Sequence, residues 1–254
     1  MKKVFAATNQ KGGVGKTTTC SAICGGLAAR GERVLAVDLD PQGNLSFSLG
    51  VNTDEGPTVH DLFKRTADIH DVVRHTHVCD ILPSNILLSG AELELTTIGR
   101  EYLLREQLEN IANEYDYAVI DTPPALSILT INAYAAATDL IIPMTPEILS
   151  LQGIAQLKDT IFAVRKYYNR ALALRGILLT RYNPRLLLHK EVEELADIVA
   201  AQLDTRVFRT KIGTSVSVAE APAHSETILE YAPRARATKD YLRFLQELLQ
   251  EGSR

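Results

Sequence analysis

The run Lys11-Gly12-Gly13-Val14-Gly15-Lys16-Thr17-Thr18 gathers glycines, two lysines and two hydroxyls between a short apolar segment and the start of a helical pattern. Glycines let successive backbone N–H groups converge on one anion, and a helix beginning near Lys16 adds the positive end of its dipole. An ammonium in such a loop neutralises phosphate oxygens, and the neighbouring hydroxyl is a ligand for Mg²⁺. The chemistry implied is binding of ATP with Mg²⁺. Lys16 would reach the β- and γ-phosphates, Thr17 the metal and Thr18 the α-phosphate, with Gly12, Gly13, Val14 and Gly15 supplying main-chain amides. The general pattern G-x-x-x-x-G-K-[ST] is broken, because its first glycine falls on Gln10; Gly15-Lys16-Thr17 keeps the second half, and Lys11-Gly12-Gly13 stands in for the first.

Three aspartates stand where this loop needs acids. Asp38 and Asp40 follow the apolar run Val34–Val37 and, being two apart, share one side of an extended ribbon. Asp121 ends Ala118-Val119-Ile120, a hydrophobic strand presenting an acid to a metal, usually through water, and Pro123-Pro124 then stops the strand. Capping of the following turn is the structural alternative for each acid. No Cys/His dyad or Ser-based triad signature competes, so positioning and charge neutralisation carry the chemistry. No arginine finger is visible, and hydrolysis by the chain alone is expected to be slow.

The elements that must hold these groups alternate. Strand patterns at Val4–Ala7, Val34–Val37, Tyr117–Ile120, Leu140–Ile142 and Leu172–Leu179 are separated by helical patterns such as Thr17–Arg30, Gln152–Tyr168 and Leu186–Leu203. A short strand near Arg206–Phe208 and a last helix over Arg234–Gln250 follow. The less regular stretch from Asn52 to Arg100 reads as an insertion of short helices around one strand, Cys79–Leu82. This rhythm predicts an α/β fold: a doubly wound, mostly parallel sheet with helices on both faces, and ligands outside the carboxyl ends of the strands.

Length and composition bound the rest. With 254 residues, 46% hydrophobic and 23% charged, one domain over residues 1–254 is expected, with no further N-terminal domain before the first strand. A net charge of −4 excludes a protein that coats nucleic acid through its overall field, so any DNA contact must use a local patch. No apolar run approaches the roughly 18 residues of a membrane span, and no signal peptide is present, so a cytoplasmic location is expected. Cys20, Cys24 and Cys79 read as buried core thiols, and His60, His70, His75 and His77 as a solvated loop or helix surface.

The segments NQKGGVGKTTT from Asn9 to Thr19, VDLDPQGN from Val37 to Asn44 and YAVIDTPP from Tyr117 to Pro124 resemble the ParA/MinD family of deviant Walker A ATPases, closest to its chromosomal ParA (Soj) partition members. The resemblance runs almost the full length and includes SLQG from Ser150 and VAEAPAH from Val218 to His224. It implies that Lys11 crosses into a partner subunit and touches its nucleotide, so that ATP joins a homodimer. A bulky side chain at Gly12 would block that approach. It further implies that Asp40 orients the attacking water beside Lys11 and Lys16, that Asp38 belongs to the Mg²⁺ sphere, and that Asn183 and the backbone around Ile212 and Gly213 meet the adenine. A ParB-like activator protein stimulates hydrolysis in this family, and the ATP dimer binds DNA non-specifically, which would place it on the nucleoid.

One departure bears on the cargo. The family run close to IPRNVR is here Ile212-Gly213-Thr214-Ser215-Val216-Ser217, without either arginine, and the helix after it in space is acidic, with Glu191, Glu193, Glu194 and Asp197 against Lys190. Arg181, Arg185, Arg206, Arg209, Lys211, Arg234, Arg236, Lys239 and Arg243 are the remaining basic candidates. Two readings stay open: an ATPase that partitions DNA, and one that positions a non-DNA cargo or a membrane-associated complex. For the membrane the final helix offers an apolar stripe, Tyr241, Leu242, Leu245, Leu248 and Leu249, which packing against the core explains more simply.

Overall fold

Strands buried on both faces read as near-continuous apolar runs, and here every residue of Val34–Asp38 and of Asp139–Met144 is buried, with an aspartate only at one end of each. The computed structural model describes residues 1–250, with the backbone alone at 92 and 155. Its strands are β1 (Lys3–Ala7), β2 (Val34–Asp38), β3 (Arg74–His75), β4 (Asp80–Leu82), β5 (Tyr117–Asp121), β6 (Asp139–Met144) and β7 (Ala173–Leu179). The principal helices are α1 (Lys16–Ala28), α2 (Asn44–Ser48), α3 (Leu103–Asn110), α4 (Ile128–Ala136), α5 (Ile148–Tyr167), α6 (Leu187–Gln202) and α7 (Arg236–Gln250). The sheet order is β3-β4-β2-β5-β1-β6-β7, and every pairing is parallel except β3 with β4.

Alternation along the strands divides the core into two layers. Val4, Ala6, Leu35 and Val37 face α3, α4, α5 and α6, whereas Phe5, Ala7, Val34 and Ala36 face α1 and α7. The apolar stripe of α7 is used in that second layer: Tyr241, Phe244, Leu245 and Leu248 are all buried, and Leu245 lies against α1 at Gly26. No described helix is long and apolar enough to cross a membrane. The three cysteines are free and buried, as expected.

The register brings the chemistry to one edge. Asp121 at the end of β5 stands between Asp38 of β2 and Ala7 of β1, so both acids lie on one side of the strand that leads into the glycine loop.

Three expectations are corrected. Arg206–Phe208 forms an isolated bridge to Ile177 instead of a strand, because only two bonds, Ile177 N–H to Arg206 and Phe208 N–H to Ile177, join it to β7. The insertion carries a second strand, β3, paired antiparallel with β4. His60 is not solvated: it is buried in the short helix Val59–Phe63, with Nε2 2.9 Å from a Glu94 carboxylate oxygen.

The turn from Asp40 to Gly43 sets the distance between the β2 acids and α2. Gly43 has φ +63°, its N–H bonds the Asp40 carbonyl, and an added Cβ would lie 2.8 Å from the Ser84 carbonyl oxygen. Gly43→Ala should therefore cost about 2–3 kcal/mol of stability, from left-handed strain plus a backbone clash. A urea titration checks this through a lower midpoint at unchanged slope.

Candidate functional site

The loop after β1 is fastened from behind. Asn9 Nδ2 donates to the Pro143 carbonyl at 2.8 Å and its Oδ1 accepts the Lys11 N–H at 3.0 Å. The Thr180 hydroxyl donates to the Val14 carbonyl at 2.8 Å, and the Val14 side chain is buried. Gly13 (φ +72°) and Gly15 (φ +89°) take left-handed conformations that turn the chain into α1. Among the described residues nothing accepts a hydrogen bond from the N–H groups of Gly12, Gly13, Val14 or Gly15. A row of free donors at a helix N-terminus is an anion cradle.

Lys16 is almost fully buried, with Nζ 3.3 Å from the Lys11 carbonyl; burial lowers its pKa, against the pull of Asp121 and Asp40. The Thr17 hydroxyl donates to Asp121 Oδ2 at 2.6 Å. Asp121 is fully buried and its carboxyl is pushed up to about 8, first by burial and then by Asp38. Asp38, equally buried, rises to about 7 through burial, although three donors oppose the shift: the Ser46 N–H and hydroxyl, both at 2.8 Å, and the Asp40 N–H at 3.1 Å. Neither acid forms an ion pair with a described residue.

This donor set fits Mg²⁺ with a polyphosphate. Two buried carboxyls without an ion-pair partner, each bonded by a hydroxyl, and a buried ammonium beside free amides make a site that accommodates a cation and an anion together. The structure brings Lys16, Thr17, Asp121 and the glycine amides together. Asp40 is buried at the wall of the same cavity, which has a volume of about 510 Å³. Asp38 sits beside Asp121 in the sheet, but both its oxygens are engaged by Ser46 and by the Asp40 amide, so it faces α2. An added Cβ at Gly12 or Gly13 would meet nothing within 4 Å, so internal packing does not demand these glycines.

Lys11 has a partner inside its own chain. Its Nζ pairs with Glu147 and lies 3.3 Å from the Ser150 hydroxyl at the start of α5. Nothing in the sequence pointed to Glu147, which is 136 residues away. Ile212 and Gly213 line a second cavity of about 370 Å³ with Gly15, Thr18 and Tyr241. Asn183 does not; it lines a separate depression with Arg185 and Arg236, and its side chain caps the Arg185 N–H at 3.0 Å, the loop role that competed with base recognition. Sequence reasoning also missed Thr180 and Phe47, which sit at the loop and at the cavity mouth. A threonine directly after the apolar run of β7 was the available signal for the first.

A family model described as AAA domain matches residues 2–174. The chain is 41% identical to the sporulation initiation inhibitor protein Soj of Bacillus subtilis, over 99% of this chain and 100% of that one. It is 40% identical to the chromosome partitioning protein ParA of Caulobacter vibrioides, covering 97% and 94% of the two chains. A crystal structure described as cobyrinic acid a,c-diamide synthase from Mycobacterium smegmatis, with bound ADP and magnesium, superposes with a TM-score of 0.86 at 35% identity, over 99% of this chain and 95% of that one.

The two buried acids make a stability test. Their folded pKa values exceed the unfolded value of 3.8, so the native state holds protons that the unfolded state has released. Stability of the ligand-free chain should accordingly fall as pH rises from about 4 toward 8. Asp121→Asn should raise the melting temperature at pH 8 and change it less at pH 5, as read by calorimetry without nucleotide or metal.

Proposed function

Since the chain belongs to the ParA/MinD family of deviant Walker A ATPases, with Soj and ParA among its relatives, we propose that it is a Mg²⁺-dependent partition ATPase that dimerises around ATP, holds DNA non-specifically and lets go on hydrolysis. The observation that carries this reading is the row of free amides from Gly12 to Gly15 beside buried Lys16 and the Thr17–Asp121 contact.

Bound ATP supplies the γ-phosphoryl group, and Mg²⁺ neutralises its developing charge. Lys16 binds the β- and γ-phosphates, Thr18 the α-phosphate, and Thr17 with Asp121 orients the metal's ligands, with Asp38 behind them. Asp40 positions water for attack on phosphorus, accepting a proton from it as the bond to the leaving oxygen breaks. Ile212 and Gly213 wall the cavity offered to the base. Lys11 exchanges Glu147 for the phosphates of a second subunit, and open space at Gly12 admits that approach. The sequence carries no legible arginine finger, and rapid turnover is assigned to a ParB-like activator.

Exposed Arg236, Lys239 and Arg243 share one face of α7, and Arg185 lies across a shallow depression from Arg236. This local patch supports the DNA reading and a nucleoid location in the cytoplasm. A non-DNA cargo is favoured by a different observation: residues 212–217 carry no arginine, and Glu191 and Glu194 are exposed on α6.

Light scattering with a slowly hydrolysed ATP analogue should show a dimer for the wild type, a monomer for Lys11→Ala, and no nucleotide binding for Lys16→Ala. A dimer of Lys11→Ala would remove the cross-subunit role. In a mobility assay, DNA binding should require ATP and weaken at least tenfold between about 50 and 200 mM salt. Absence of ATP-dependent binding at the lower salt would decide for the non-DNA cargo.

A further inference from the structure

Among the described residues, four other than glycine have left-handed backbones, and three of them end helical segments. Arg65 (φ 58°), Asp204 (φ 53°) and Ser225 (φ 57°) lie where helical stretches stop, a position in which this conformation satisfies the last carbonyls. Arg181 (φ 51°) instead follows β7. No helix end accounts for its strain, and strained residues persist only where their surroundings over-determine them.

Those surroundings connect it to the phosphate loop. On one side, the Thr180 N–H bonds the Met144 carbonyl at 2.8 Å and its hydroxyl bonds the Val14 carbonyl at 2.8 Å. On the other, the Tyr182 N–H bonds the Ile212 carbonyl at 2.9 Å and its phenol donates to Glu193 at 2.5 Å. The side chain between these anchors is exposed, and its guanidinium makes no hydrogen bond or ion pair with any described residue. Most exposed arginines need no strained backbone to reach water, so the conformation aims this one.

Its direction follows from the two cavities. The first contains Lys16, Thr17 and Asp40; the second contains Ile212, Gly213 and Tyr241. Both are walled by Gly15, Thr18 and Arg181. Resting on the nucleotide reading above, we propose that Arg181 is a nucleotide-binding residue whose guanidinium clasps the α-phosphate, at the threshold where the phosphate cavity opens into the cavity for the base. Thr18, in the first turn of α1, marks that threshold from the loop side. A planar guanidinium offers two parallel N–H donors in a fixed fork matched to two phosphate oxygens, a geometry a lysine ammonium does not hold.

The test uses the full chain and two variants, with ADP and ATP affinities measured by titration calorimetry and ligand-free melting temperatures measured alongside. Arg181→Gly should relieve the left-handed strain and raise the melting temperature by about 2–4 °C. It should also weaken ADP and ATP equally, by about tenfold. Arg181→Lys, which keeps the strain and the charge but loses the fork, should melt like the wild type and weaken both nucleotides about threefold. Unchanged ADP affinity in Arg181→Gly would overturn the assignment. So would a loss confined to ATP, which would move the contact to the γ-phosphate, or a lowered melting temperature, which would make the guanidinium structural. A wild-type chain that bound neither nucleotide would bring down the nucleotide reading itself, a result distinct from wild-type binding that the variants leave untouched.

Discussion

Two carboxylates that end neighbouring parallel strands set the terms for everything around them. The register places Asp38 directly beside Asp121, and both are fully buried. Two like charges out of water raise each other's pKa and cost stability unless other groups take up the charge. The fold answers locally on both sides: the start of α2 gives Asp38 the Ser46 amide and hydroxyl, and the start of α1 gives Asp121 the Thr17 hydroxyl. These donors reduce the cost without cancelling it, since both pKa values stay raised. On the proposed reading, a divalent cation held with the phosphates would supply the remaining charge, and nucleotide binding and stability would then be one linked equilibrium.

How much of this was legible in the sequence follows from the range of the interactions. Strand, glycine loop and helix are adjacent in the chain, so the phosphate cradle could be read at Lys11–Thr18, and continuous apolar runs marked the strands that carry Asp38 and Asp121. The short pairing at Arg206–Phe208 was over-read because apolar content marks a stretch as fit for a strand but does not say how many edge bonds β7 has to offer. His60 was under-read because its burial depends on Glu94, 34 residues on, in an insertion without clear periodicity. Left-handed backbone at Arg181 has no sequence signature at all when the residue is not glycine, asparagine or aspartate.

Lys11 shows how a contact can change the weight of an argument without reversing it. From sequence, a second cation beside Lys16 called for concentrated negative charge, and phosphate was the available source. The structure supplies another, Glu147, whose carboxyl is held below its usual range by Lys11. Both groups are partly exposed, at 34% and 56% of their side chains, so this ion pair is screened and contributes little to stability. A weak pair is easily exchanged. If nucleotide brings two subunits together as proposed, the partner's polyphosphate would carry several charges where Glu147 carries one, and the exchange would run downhill.

The basic face of α7 and the phosphate loop are joined by a single packed element. α1 begins at Lys16 and reaches α7 at Gly26, where an added Cβ would lie 2.5 Å from Leu245. The glycine lets α7 pack directly on α1, and close-packed cores switch between discrete arrangements instead of deforming smoothly. On the proposed reading, ATP-dependent DNA binding would then need no reshaping of Arg236, Lys239 and Arg243. If ATP pairs two chains, it doubles the patch on one rigid body, and binding of the second patch becomes intramolecular. On that account the nucleotide acts on DNA affinity through stoichiometry, and a patch too small to hold DNA as a monomer suffices in the dimer.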